Sequence, residues 1–395
     1  MLPITLHADK FGFYTIGDIK TYSKLEAIEL HNRSGIFPEW NFNNHVFGLT
    51  DWFHEPVEDL FEMYKLRCRQ IREAYDYCVI FYSGGSDSGN ILRAWLESGC
   101  KIDEIATIKT LGNNQKITDF TYDWALEIDT VVEPVVEQLK KQGLDFKYRV
   151  IDSVSHTVNF IERTNVDYFY FANHSFSPNN TMKSVFRENI KDYKDLIDKG
   201  KKLCFIWGSE KPQIEYKPDT QSWHISFLDI FDNCVGPYVQ SKYNQGWYDE
   251  LFYWTPDYPE MVVKQAHAVK NFIERVEDKK FYQKNQSPYG YNKKLKMFLT
   301  ADSCKLAIYP KWDSNTFVAR KPYFGGVRPG YGYLAYSERD RWFFSSSQDL
   351  VQKYESHFLH ILNQIKRYKR YNWHTNYSPS SQSIVVANIN QYQFA

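Results

Sequence analysis

At 395 residues the chain is long enough for two or three domains and a well-buried core. Its 48 basic and 48 acidic residues cancel, which excludes a global field drawing it to nucleic acid or an anionic membrane and leaves only local patches. Aromatic residues make up 17% of the chain and argue for a packed globular protein rather than a disordered one. No apolar run approaches the roughly 20 residues needed to span a bilayer, and no signal-peptide pattern follows Met1, so the expected location is cytoplasmic. Residues 1–75 read as an α+β extension, with a strand over 11–17 and a helix over 23–30. A second helix over 58–72 places Leu60, Phe61, Tyr64, Cys68 and Ile71 on one face. Its Lys65, Arg67, Arg69 and Arg72 are expected on a solvated basic face, with phosphate contact as the alternative.

Residues 77–92 then run from an apolar stretch through a small-residue turn into an apolar-periodic segment, read as strand, loop and helix. Adjacent Gly84 and Gly85 let the backbone bend with its amides facing one concavity. The helix start adds its positive dipole end, and the hydroxyls of Ser83, Ser86 and Ser88 add donors, a chemistry that suits polyphosphate. Asp87 is expected to cap the helix, to hold a divalent ion against the phosphates, or both. The bland alternative is a serine-glycine turn before a capped helix. Gly99 ends that helix and 102–110 makes a second strand, so strand, helix and strand form a right-handed parallel crossover. A helix from 122 to 141, a strand over 146–152, a helix over 184–199 and a strand over 202–207 continue the alternation of a doubly wound sheet.

The loop lacks the lysine of GxxxxGK[ST] and the spacing of GxGxxG. Ser83-Gly84-Gly85-Ser86-Asp87-Ser88 instead resembles the SGGxDS signature of the PP-loop ATP pyrophosphatases, the superfamily of the synthetase domains of asparagine, GMP and NAD synthetases and of the tRNA lysidine synthetases. The resemblance implies a HUP-like α/β domain that grips the pyrophosphate of ATP while a substrate oxygen attacks the α-phosphate, with ATP and Mg²⁺ as cofactors. It further implies that Ile108, Lys109 and Thr110, after the second strand, contact the base; Lys109 as a plain exposed strand end is the alternative.

Gly208-Ser209-Glu210-Lys211-Pro212 delivers an acid and a base at the carboxyl edge of the sheet, where Glu210 suits Mg²⁺ and Lys211 suits charge building on the phosphates. An exposed turn is the competing reading. A glycine- and acid-containing loop at this position is similar to that of the asparagine-synthetase branch. Asn173 and His174 fall on a loop at the same edge, and His267 on an apolar helix face; for both histidines a structural role is the commoner one.

Cys68, Cys78, Cys100, Cys204, Cys234 and Cys304 are scattered without a CxxC pair, which fits neither zinc-binding nor thiolating members. Leu2 stands where glutamine-hydrolysing domains need cysteine, so ammonia or an amine is expected from elsewhere. Residues 219–245 read as polar and irregular. The run Phe252 to Asp257 is similar to wording in asparagine-synthase-like proteins and suits either an acceptor pocket or core packing.

Beyond it lie an apolar patch at 306–310, a glycine-rich turn region at 324–333, a helix over 347–370 and a tail at 378–383. The expected division is an extension at 1–75, a nucleotide domain at 76–245 and a mostly helical or mixed C-terminal region at 246–395. The resemblance implies an AMP- and pyrophosphate-forming ligase, similar to asparagine synthetases without a glutaminase domain, that adenylates a carboxylate or carbonyl oxygen of a small molecule and passes the group to an amine or ammonia. The rivals are a nucleotide sensor without turnover and a nucleobase- or tRNA-modifying enzyme, the latter disfavoured by the neutral charge.

Overall fold

The computed structural model describes residues 3–22, 24–109, 128–152, 189–208, 213–217, 220–227, 245–275, 307–309, 326–327, 335–336 and 384–388. Five short strands build its central sheet: β4 (Tyr77–Phe81), β5 (Glu104–Lys109), β6 (Lys147–Asp152), β7 (Leu203–Trp207) and β10 (Trp247–Leu251). All neighbouring pairs are parallel, in the order β10-β7-β4-β5-β6. In chain order this is 3-2-1-4-5, the doubly wound arrangement, and the direction of winding reverses between β4 and β7.

β7 is buried along its whole length, as a strand covered on both faces must be. Side chains alternate across a strand, and the two faces have separate covers. On one, Phe81, Phe205 and Trp207 form an aromatic row, with the Phe81 and Trp207 rings stacked at 3.8 Å. Tyr193 of α6 (Lys191–Asp198) meets Phe205 edge-on, and Asp249 accepts the Trp207 indole N–H at 2.6 Å. On the other, the next residue of β10, Glu250, turns toward α3 (Leu60–Ala74).

α3 forms where the periodicity places it, with Asp59 capping it by accepting from the amides of Phe61 and Glu62. Its basic residues depart from expectation. Arg67 is not on a solvated face but fully buried, its guanidinium 2.5 Å from Glu250 Oε2 and 2.7 Å from Gln70 Oε1. It lies three residues after Tyr64 and four before Ile71, on the apolar stripe itself. Lys10 Nζ approaches the other Glu250 oxygen at 2.5 Å and Asp257 Oδ2 at 3.7 Å, and the Tyr75 hydroxyl also donates to Glu250. Arg72 is likewise half-buried, paired with Asp103.

The N-terminal region carries the antiparallel sheet β2-β1-β3, made of β1 (Phe13–Ile16), β2 (Ile19–Thr21) and β3 (Glu39–Asn41), with α1 (Lys24–Ser34) against it. It is joined to the main core through the Lys10 ion pairs and through Phe42 and Phe47, which stack on Phe227 at 4.8 and 4.4 Å. Within residues 219–245, the described segment 220–227 departs from the irregular reading: Ser222–Ser226 is β9, central in an antiparallel sheet with β8 (Gln213–Lys217) and β13 (Ile384–Asn388). Its sequence alternates polar and apolar, and Ser222 Oγ lies 2.7 Å from His224 Nε2, which satisfies the polar face. β10 was not anticipated as a strand; it begins past residue 245, yet pairs with β7 as the fifth strand of the main sheet.

His267 lies on α7 (Pro259–Arg275), buried, with Nε2 2.9 Å from the Trp52 carbonyl, so it donates there and ties the helix to the N-terminal region. Burial holds its pKa below the ordinary 6.5, against the opposing pull of the Trp52 bond and Glu55 and with the help of Lys270 and Lys264. A histidine favoured as neutral in the fold contributes stability that is complete above its unfolded pKa and is lost as pH falls from that value through the lower folded one. The melting temperature therefore falls from about pH 7 to about pH 5, and less steeply in His267→Gln. Equal slopes in the two proteins would remove His267 from the pH response.

Among the described residues Cys68, Cys78, Cys100 and Cys204 are free thiols, three of them buried, and burial pushes the Cys78 thiol up to about 12. No helix among those residues is long and apolar enough to cross a membrane.

Candidate nucleotide site

Ligands of open α/β sheets sit beyond the carboxyl ends of the strands where the winding reverses. Two chain segments leave the sheet there, after Phe81 of β4 and after Trp207 of β7. The first is pinned as it leaves: the Tyr82 amide donates to the Ala106 carbonyl at 2.9 Å, and its own carbonyl accepts from Thr107 Oγ1 at 2.7 Å. Gly84 then takes φ +76°, left-handed backbone that costs an L-residue roughly 1–2 kcal/mol, and an added Cβ would stand 3.3 Å from the side chains of Val131 and Val132.

α4 (Ser86–Ser98) starts at Ser86, slightly earlier than its sequence suggests, and its N-cap is Gly85, with no side-chain cap. Asp87 is therefore not the cap; it sits within the first turn. An uncapped helix start leaves backbone N–H groups directed outward together with the positive end of the helix dipole. The three serines divide their work. Ser88 Oγ accepts from the Ser83 amide at 3.1 Å, lies 3.2 Å from Ser83 Oγ and donates to the Gly85 carbonyl at 3.1 Å, so this pair braces the turn. Ser86 is 5% exposed, and its hydroxyl has no hydrogen-bond partner. A buried hydroxyl without a partner is costly, and an anion oxygen at the helix start would satisfy it. The turn thus fits a phosphate group by its amides, its dipole and its orphaned hydroxyl.

The second segment starts at Gly208, packed against the same turn. A Cβ there would come within 3.2 Å of the Asp87 carbonyl carbon and 3.3 Å of the Ser88 nitrogen. A side chain here would press on the first turn of α4, so glycine lets β7 end close beside it. Glu210 and Lys211, the acid and base expected two and three residues further on, lie outside the described residues, as do Thr110, Asn173 and His174. Ile108 and Lys109 are half-buried at the carboxyl end of β5, in register with Ile151 and Asp152 of β6.

Asp87 is half-buried and held at both ends. Its main-chain carbonyl accepts from the Tyr253 hydroxyl at 2.6 Å, and its carboxylate accepts from the Tyr309 hydroxyl. Tyr253 also receives a bond from Asn90 Nδ2 at 3.2 Å, and the Tyr64 hydroxyl donates to the Ile308 carbonyl at 2.9 Å. Burial, reinforced by the Asp87 charge, pushes the hydroxyls of Tyr64, Tyr253 and Tyr309 well above the ordinary tyrosine range, so all three remain donors. Sequence reasoning did not single out these tyrosines. The available signal was a hydroxyl inside each otherwise apolar run, at 252–254 and 307–309, since a buried tyrosine hydroxyl must find a partner. The rest of the Phe252 to Asp257 run packs in the core.

As to metal, no cluster of three or more histidine, cysteine, aspartate or glutamate side chains suited to an ion exists among the described residues. Asp87 supplies one carboxylate beside the turn, and Mg²⁺ is commonly bound by one or two carboxylates together with substrate phosphates, so the residue fits that ion.

Fold and site together define a class: a doubly wound α/β domain with a glycine turn leading into an uncapped helix at its switch point. No protein-family model matches the sequence, and no curated protein matches it. Among solved structures the chain is similar to an NH3-dependent NAD synthetase from Campylobacter jejuni subsp. jejuni NCTC 11168, in complex with the nitrate ion. The two share 15% identity and a TM-score of 0.28 over 68% of this chain and 99% of that one. Likeness at this level carries no weight for fold or function, which rest here on the strand order and the turn.

Proposed function

We propose that this protein binds ATP with its pyrophosphate over the Ser83–Ser88 turn and is an AMP- and pyrophosphate-forming ligase. One observation carries the reading: at the switch point, a left-handed Gly84 leads into an uncapped helix whose first side chain, Ser86, is buried with no partner. In this reading the turn's amides and Ser86 hold the phosphoryl groups, Asp87 and Glu210 hold Mg²⁺, and Lys211 neutralises charge on the phosphates during adenylyl transfer. Mg²⁺, when bound, supplies screening of the phosphate charge. The activated group is a carboxylate or carbonyl oxygen, passed to an amine or ammonia in the manner of asparagine-synthetase-like enzymes without a glutaminase domain. Ile108, Lys109 and Thr110 contact the base. A cytoplasmic location suits this use of ATP.

The experiment is incubation with labelled ATP, Mg²⁺ and pools of amino acids, other carboxylates or nucleotides. AMP and pyrophosphate in equal amounts, dependent on one pool, are expected. A second reading, a nucleotide sensor without turnover, is favoured by the Tyr309 hydroxyl already seated on Asp87. Tight ATP binding with no AMP from any pool would select it, and absence of ATP binding would sink both.

A further inference from the structure

Asp87 is reached by a part of the chain far from the turn in sequence. Residues 307–309 dock between α3 and α4 through two polar links: Tyr64 donates to the Ile308 carbonyl, and Tyr309 donates to the Asp87 carboxylate. Ile308 and Tyr309 are 5% and 1% exposed, and the Tyr309 ring packs against Tyr253 at 5.5 Å, which in turn meets Tyr64 edge-on at 5.5 Å. The Tyr253 hydroxyl fixes the Asp87 main chain, so the carboxylate retains only its own side-chain rotations, and the Tyr309 hydroxyl removes those.

We infer that Tyr309 is a positioning residue, which orients the Asp87 carboxylate toward a divalent cation carried by the nucleotide. The inference rests on the ATP reading above and adds to it a residue from the C-terminal half. A carboxylate that binds a cation gains affinity when an outer hydrogen bond fixes its direction, and loss of such a partner typically lowers metal affinity by about 10- to 100-fold. Tyr309 touches neither phosphate nor base in this account and acts only through Asp87.

The test is equilibrium binding of a fluorescent, non-hydrolysable ATP analogue to the full chain, titrated with Mg²⁺, in wild type, Tyr309→Phe, Asp87→Asn and the double variant. Tyr309→Phe is expected to melt as wild type and to bind the Mg²⁺-free analogue unchanged, since the turn's amides and Ser86 are intact. It is expected to need about 10-fold more Mg²⁺ for half-maximal binding. In the Asp87→Asn background the same substitution is expected to change nothing further, because the pathway through the carboxylate is already gone. An unchanged Mg²⁺ requirement in a folded Tyr309→Phe, or an equal effect with and without Asp87, overturns the role of Tyr309 while leaving the ATP reading in place. So does failure of Tyr309→Phe to fold, which would assign the hydroxyl to the core. A wild type that does not bind the analogue with or without Mg²⁺ overturns the ATP reading and this inference together.

Discussion

Methionine at position 67 is expected to destabilise the fold by about 3–5 kcal/mol, the range for breaking a buried ion pair from one side. Arg67 is 0% exposed, and its guanidinium is one of two cationic groups on a Glu250 carboxylate that is itself out of solvent. Removing it leaves Lys10 and Tyr75 on one carboxylate oxygen, and the other loses its charged partner in a medium where water cannot replace it. Gln70 also loses its donor, while its own amide still holds the Asp257 carbonyl at 3.0 Å.

Urea unfolding followed by tryptophan fluorescence measures the loss. The pair Arg67→Met with Glu250→Leu is expected to be less damaging than the sum of the single changes, because Glu250→Leu alone strands both Arg67 and Lys10 whereas the double change strands only Lys10, which keeps Asp257 at 3.7 Å. A loss below about 1 kcal/mol for Arg67→Met would mean that water reaches this network after all. The consequence reaches beyond α3, since the same carboxylate ties Lys10, and with it the N-terminal sheet, to an edge strand of the central one.

The second large effect is expected at Gly208. Valine there would press its Cβ on the backbone at Asp87 and Ser88, at 3.2 and 3.3 Å, and on Ile91 Cδ1 at 3.1 Å. A flexible side chain gives way cheaply, but the first turn of a helix does not, so either β7's exit or the start of α4 must shift. Both define the site. On the ligase reading proposed above, displacement of the turn by about 1 Å is enough to lower the rate of AMP formation on the order of 100-fold. Pyrophosphate exchange into ATP measures this, with the melting temperature as a control for gross unfolding. A folded Gly208→Val with wild-type exchange would show that the β7 exit and the turn do not work together, and would separate the Gly208 loop from the nucleotide.

Much of the fold was legible because its causes are local. β4 and β7 are short apolar runs, β5 and β6 carry β-branched and aromatic residues between helical stretches, and Gly99 closes α4 in the left-handed conformation, at φ +74°. The turn at Ser83–Ser88 was legible for the same reason, since two glycines and small hydroxyl residues between a strand and a helix permit few backbone paths. β10 was hidden because Trp247–Leu251 mixes Asp249 and Glu250 into a strand, and each acid is explained only by a partner on another element, Trp207 or Arg67. The position of Arg67 on the buried stripe was visible, but the arithmetic of one helix favours solvent for a guanidinium until its carboxylate is known.

The sequence by itself determined the strand-turn-helix unit, its phosphate-suited chemistry and the parallel alternation around it, because steric freedom at glycine and side-chain periodicity act within a few residues. Only the tertiary structure decided that Ser86 carries the orphaned hydroxyl, that Asp87 answers to Tyr309 rather than capping its helix, and that Arg67 is a core residue. Those outcomes depend on pairings between residues 183 to 222 positions apart, or on burial itself, and no local rule specifies which distant donor a buried acid will meet.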